Sequence, residues 1–75
     1  NAGSREILNQ HILDLYSISK RERQVIELVL AGLSNKEISE DLTISPVTVK
    51  DHIYRIYKKT AVSNRVQLTN LFRKE

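Results

Sequence analysis

Residues 32–59, GLSNKEISEDLTISPVTVKDHIYRIYKK, decide the fold. Ser34, Asn35, Lys36 and Glu37 have the capping-box spacing, in which a serine hydroxyl and a glutamate carboxylate three residues on each satisfy a free amide of a helix's first turn. The helix they open is short, about two turns of 3.6 residues, and should end near Leu42. Ile38 and Leu42 stand four apart on its inward face. Ser45 and Pro46 open a longer helix, since serine is a favoured N-cap and proline is favoured at the first helical position, where no amide partner is lost. Only Thr43 and Ile44 separate the two, so the chain must turn sharply, with Ile44 plugging the corner. A short helix, a tight turn and a longer helix over residues 35–59 make a helix-turn-helix.

The flanking sequence extends the pattern. Ser19-Lys20-Arg21-Glu22 repeats the capping box ahead of Val25, Ile26, Leu28, Val29 and Leu33, and Gly32 suits the left-handed residue that stops this helix near Ala31. Asn64 to Gln67 again has capping spacing. The helix it opens should run to about Arg73, with Leu68, Leu71 and Phe72 inward and Val66, Thr69 and Asn70 outward. Ser4 is placed to cap a first helix whose face is Ile7, Leu8, Ile12 and Leu15, ending near Tyr16 to Ile18. Strand signals are poor: few aromatics, no sustained alternation and no Asn-Gly or Asp-Gly hairpin turn. The expected fold is all-α, a four-helix, winged-less helix-turn-helix domain over residues 19–75 with an additional N-terminal linker helix in residues 1–18.

Seventy-five residues cannot enclose a deep catalytic pocket. There is no cysteine, hence no disulfide framework and no thiolate metal site. The apolar runs are far below a membrane span, and no signal peptide is visible. The chain opens on Asn1, which points to an excised domain with Asn1 and Ala2 left by cloning. The net charge of +3 is unevenly spread. Residues 46–75 carry Lys50, Arg55, Lys58, Lys59, Arg65, Arg73 and Lys74 against Asp51 and Glu75, seven cations against two carboxylates. A polyanionic partner would use such a gradient, although many solvated surfaces are basic too. No cofactor or metal is expected: Glu22 and Glu37 read as caps, His52 borders an apolar stripe without a second ligand at metal spacing, and no phosphate loop or nucleophile elbow is present.

On a helical wheel, Val49, Ile53 and Ile56 of the longer helix fall on one stripe, flanked by His52 and Tyr57. Val47, Lys50, Asp51, Tyr54 and Lys58 cluster opposite, with Thr48 and Arg55 at the margin. These types suit double-stranded DNA. Lys50 can donate to guanine O6 or N7, Val47 can pack on a thymine methyl, Asp51 can accept from cytosine N4, and Tyr54 offers a hydroxyl and a ring. Arg55, Lys58 and Lys59 can neutralise phosphates, and Thr48 can bond one beside the free amides of the helix start. Any one of these lysines taken alone is more commonly a solvated surface residue.

The run from Ser19 to Leu68 resembles the LuxR/FixJ-type helix-turn-helix domain of bacterial transcription regulators. The matching pieces are Ser19-x-Arg21-Glu22-Arg23-x-Val25, Gly32-Leu33-Ser34-Asn35-Lys36-Glu37-Ile38, Leu42-x-Ile44-Ser45, Thr48-Val49-Lys50-x-His52-Ile53, Ile56-x-x-Lys59 and Val62-x-Asn64-Arg65-x-Gln67. The resemblance implies a third core helix that enters the major groove and a last helix that makes the dimer contact, here Val66, Thr69 and Asn70. It places Lys50, Asp51 and Tyr54 on the base-reading face, and Lys36, Thr48 and Lys59 where backbone contacts are common. It further implies a cytoplasmic response regulator of a two-component system, with an upstream sensor or receiver domain and RNA polymerase as a further partner. Three departures stand out. Ser39 replaces the usual Ala. Thr60-Ala61 replaces Leu-Gly, which should lose some core area and alter the exit from the third helix, since Ala takes a left-handed turn less cheaply than Gly. Tyr54 and Arg55 replace small or polar residues. Two rivals share the helices: a sigma-factor-like promoter-binding domain, and a protein-interaction domain on the same fold, which Asp51 would favour because it repels phosphate.

Overall fold

The structure, a computed structural model, describes residues 10–73. Its helices are α1 (Gln10–Leu15), α2 (Lys20–Leu30), α3 (Asn35–Leu42), α4 (Pro46–Thr60) and α5 (Arg65–Arg73), and no strand occurs among the described residues.

Helix starts follow the caps. Ser19 Oγ accepts from the Glu22 amide at 3.1 Å while Glu22 Oε1 accepts from the Ser19 amide at 2.9 Å. Ser34 and Glu37 repeat this at 3.1 and 2.8 Å. At α4, Ser45 Oγ accepts from the Thr48 amide at 3.1 Å and Pro46 sits at the first turn. At α5, Asn64 Oδ1 accepts from the Gln67 amide at 2.9 Å, but the Gln67 side chain reaches past Asn64 to accept from the Ser63 amide at 2.7 Å.

Helix ends differ more from expectation. Gly32 stops the second helix at φ +92°. Among the described residues the other three left-handed ones are not glycine: Ser17, Thr43 and Ala61, with φ of 57°, 57° and 59°. Ala61 therefore makes the same kind of exit that a glycine would, where a changed exit was expected. Packing holds it there. The Val62 amide donates to the Tyr57 carbonyl at 3.2 Å, and Val62 lies partly buried against the core just beyond the strained residue.

The core gathers one stripe from every helix: Leu13 of α1, Val25, Ile26 and Val29 of α2, Ile38 of α3, Val49, Ile53 and Ile56 of α4, Leu68 and Phe72 of α5. Each buried aliphatic side chain contributes about 1.5–3 kcal/mol of transfer free energy, so α2 and α4, with three each, form the centre. α4 packs on both α2 and α3, while α5 packs on α2. Ser39 is buried, its hydroxyl donating to the Lys36 carbonyl at 2.7 Å, and it keeps the facing side small as expected. Thr60 is likewise buried on the α4 stripe and spends its hydroxyl on the Ile56 carbonyl at 2.8 Å. Ile44 and Leu42 pack against the core from the corner.

In α1 Leu13 is buried and Ile12 packs partly buried against the core as expected, whereas Leu15 is 65 % exposed, so the expected inward place of Leu15 is corrected to Leu13. Two turns carrying Ile12, Leu13 and Leu15 fit more than one stripe, and the tertiary surface chooses. Ser4, Ile7 and Leu8 lie outside the described residues.

Candidate nucleic-acid interface

The corner between α3 and α4 fixes the site. Thr43 turns left-handed, and the Ile44 amide donates to the Ser39 carbonyl at 3.0 Å. Ser45 then restarts the helix, with its hydroxyl 2.9 Å from that of Thr48. Thr48 thus sits partly covered at the α4 N-terminus, where uncompensated amides favour an anion.

From there α4 presents its outward face. Val47 is 67 % exposed and Tyr54 62 % exposed, an apolar and an aromatic side chain left open along this helix. Lys50, Asp51, Arg55 and Lys58 are exposed beside them. The Lys58 ammonium lies 5.3 Å from the centroid of the Tyr54 ring, which is cation–π range and braces both side chains on one surface. Lys36 is exposed on α3. The residues read as base-facing are therefore solvent-open along α4, with Arg55 and Lys58 exposed on the same helix and Lys36 on α3.

Lys59 departs from that group. Its Nζ lies 2.7 Å from Glu22 Oε1 and 2.9 Å from the Ser17 carbonyl, at the junction of α1 and α2. Burial pushes the Glu22 carboxyl up, but the Lys59 hydrogen bond, the Ser19 amide and the Lys59 charge outweigh it and leave the carboxyl below its ordinary value. Lys59 follows Ile56 by three residues, so it flanks the inward stripe, a signal present in the sequence.

His52 and Tyr57 flank the stripe half-buried, as expected. Burial pushes the Tyr57 phenol up, with the Arg65 charge opposing. Among the described residues no group of His, Cys, Asp or Glu is placed to hold a metal, and no helix is long and apolar enough to cross a membrane.

On α5, Val66 is 68 % exposed, Asn70 is exposed and Thr69 is partly so. With Val29 and Arg65 they line a shallow depression of about 250 Å³. The helix is pinned at both ends by contacts that local sequence reading missed: Arg65 Nη2 donates to Asn35 Oδ1 at 3.0 Å, and Arg73 Nη2 donates to the Leu30 carbonyl at the end of α2.

The family model of bacterial regulatory proteins, luxR family, matches residues 16–72. YhjB of Escherichia coli K12, an HTH-type transcriptional regulator by name, is 46 % identical over 56 residues, covering 75 % of this chain and 28 % of YhjB. The CsgBAC operon transcriptional regulatory protein of Escherichia coli K12 is 44 % identical over 50 residues, covering 67 % of this chain and 23 % of that protein. The transcriptional regulatory protein DesR of Bacillus subtilis is 38 % identical over 69 residues, covering 87 % of this chain and 35 % of DesR. The chain thus spans about a third or less of the length of these relatives. No solved structure matches it.

Proposed function

The chain belongs to the luxR family of bacterial regulatory proteins, and on that premise we propose that α4 is the recognition helix of a DNA-binding output domain and enters the major groove of an operator. A luxR-family helix-turn-helix is a DNA-binding module of transcription regulators. The observation that carries the finer reading is the outward face of α4. Val47, Lys50, Asp51 and Tyr54 stand together, and all four are exposed among the described residues. Val47, Lys50, Asp51 and Tyr54 read base edges, and Lys36, Thr48, Arg55 and Lys58 hold phosphates.

Two copies bind two half-sites, paired through Val66, Thr69 and Asn70 of α5. An upstream receiver or sensor domain controls the pairing, and RNA polymerase is the downstream partner, in the bacterial cytoplasm. DesR, named a transcriptional regulatory protein, and the other relatives are about three or more times as long as this chain's match to them, which leaves room for such a domain.

Duplexes selected from a random pool test the reading. The enriched site should bind with an affinity that falls steeply with salt as displaced counterions are released. A flat salt response, or no enrichment, would count against α4 as the contact surface. For the pairing, Val66→Glu should abolish self-association on the selected site, and unchanged sedimentation of the complex would remove α5 from that role.

A further inference from the structure

We propose that Lys59 is a positioning residue: with Glu22 it locks the C-terminal end of α4 to the start of α2 and to the linker joint at Ser17, and so sets the angle at which the outward face of α4 is presented. Its consequence for DNA rests on the reading above; the lock itself does not.

Two stretches of chain distant in sequence meet on one ammonium. Ser17 lies 42 and Glu22 37 residues from Lys59 along the chain, yet both accept from its Nζ, at 2.9 and 2.7 Å. Glu22 is only 4 % exposed, and its remaining partner is the Ser19 amide. If Lys59 swung out to a phosphate, it would leave a nearly buried carboxylate without its counter-charge, which is far costlier than leaving a surface lysine unpaired. Lys58, one residue earlier and about 100° round the helix, instead lies over the Tyr54 ring.

The lock also supplies what the core cannot. Val49, Ile53 and Ile56 hold α4 by apolar burial, which is non-directional. A charged hydrogen bond near the last turn is directional. Its other acceptor is the carbonyl of Ser17, which ends α1 in the left-handed conformation. Displacement of the linker therefore acts on the same ammonium that orients the recognition helix.

The test compares the native chain with Glu22→Gln, Lys59→Met, Lys59→Arg and the Glu22→Gln/Lys59→Met double variant. Gln keeps the capping bond to Ser19 while losing the charge, and thermal unfolding establishes that each variant is folded. Because the chain has no native cysteine, nitroxides placed through Gln24→Cys and Lys58→Cys report the α2–α4 distance without DNA. The distance distribution should shift or broaden in Glu22→Gln and Lys59→Met, no further in the double variant, and return to native in Lys59→Arg. In unlabelled protein, Glu22→Gln and Lys59→Met should each weaken the selected duplex about tenfold, random duplex less, with an unchanged salt slope, and Lys59→Arg should bind as the native chain does.

An unchanged distance distribution overturns the lock. Tighter binding by Glu22→Gln, or a salt slope reduced by about 0.9 in Lys59→Met, makes Lys59 a phosphate contact instead. If even the native chain binds no duplex, the distance measurement still decides the lock, and only the functional reading fails.

Discussion

The two sides of α4 obey different rules. Inward, Val49 and Ile56 are fully buried, Ile53 nearly so, and Thr60 turns its hydroxyl back onto its own helix. Outward, Val47 and Tyr54 are more than 60 % exposed, and Lys50 and Asp51 are exposed beside them. One side is specified by shape and volume, the other by chemical type, because only a partner's surface constrains it. Stability and recognition should therefore come apart under mutation, although they share fifteen residues of one helix.

The sharpest way to break that separation is on the inward side. Ile56→Ala removes a wholly buried side chain from the helix that packs on both α2 and α3. It should cost about 3–4 kcal/mol in unfolding free energy, a large part of the total for a domain this small. Denaturant unfolding measures the loss, and duplex affinity should fall only in proportion to the unfolded fraction. A stable Ile56→Ala protein that fails to bind would show that the inward stripe also tunes recognition.

The reciprocal change is Lys50→Ala. It should leave the unfolding midpoint within error, since Lys50 is exposed, and weaken the selected duplex by about 1–3 kcal/mol while relaxing the preference at one base position. Equal losses on selected and random duplex would move Lys50 from base reader to phosphate contact.

The contrast between sides also explains what could be read from the sequence. Local rules found every helix start within the described residues from α2 onward, because a serine or asparagine and its partner three residues on lie in one segment. They found the α4 stripe, because its period is intrinsic. They missed Leu13, because the short α1 offers competing apolar faces and only the tertiary surface selects one. They missed the partners of Lys59, Arg65 and Arg73, which lie 30 to 43 residues away in sequence. Glu22 was legible as a cap but not as the buried anchor of Lys59, since one carboxylate does both and only the first task is local.

Glu22 therefore links the two regimes, and acid exposes it. Its folded carboxyl lies below the ordinary value, so the ionised form is stabilised by folding. That stabilisation is complete above the unfolded value and is lost as pH falls through the folded one. Glu22→Gln keeps the cap but not the charge. It should cost about 1 kcal/mol near neutral pH, the margin of a charged over a neutral hydrogen bond, and the gap to the native chain should close on acidification. A gap that stays constant with pH would mean that shape, not charge, is what Gln fails to reproduce.

The smallest expected effect tests where the two sides of α4 finish. Ala61 is exposed, so replacing it disturbs no packing, and it holds φ 59° and ψ 36°, a conformation that an L side chain reaches only at some cost. Ala61→Gly removes that cost but gives the unfolded chain more freedom, and the two terms partly cancel. The net should be a gain of about 0.5 kcal/mol in unfolding free energy, measured by denaturant titration, with duplex affinity unchanged. The sign is the informative part. A loss would mean that the residues on either side, buried Thr60 and partly buried Val62, already impose the left-handed turn so firmly that the methyl of Ala61 adds no strain, and that the exit from the recognition helix is dictated by the core rather than by its own residue.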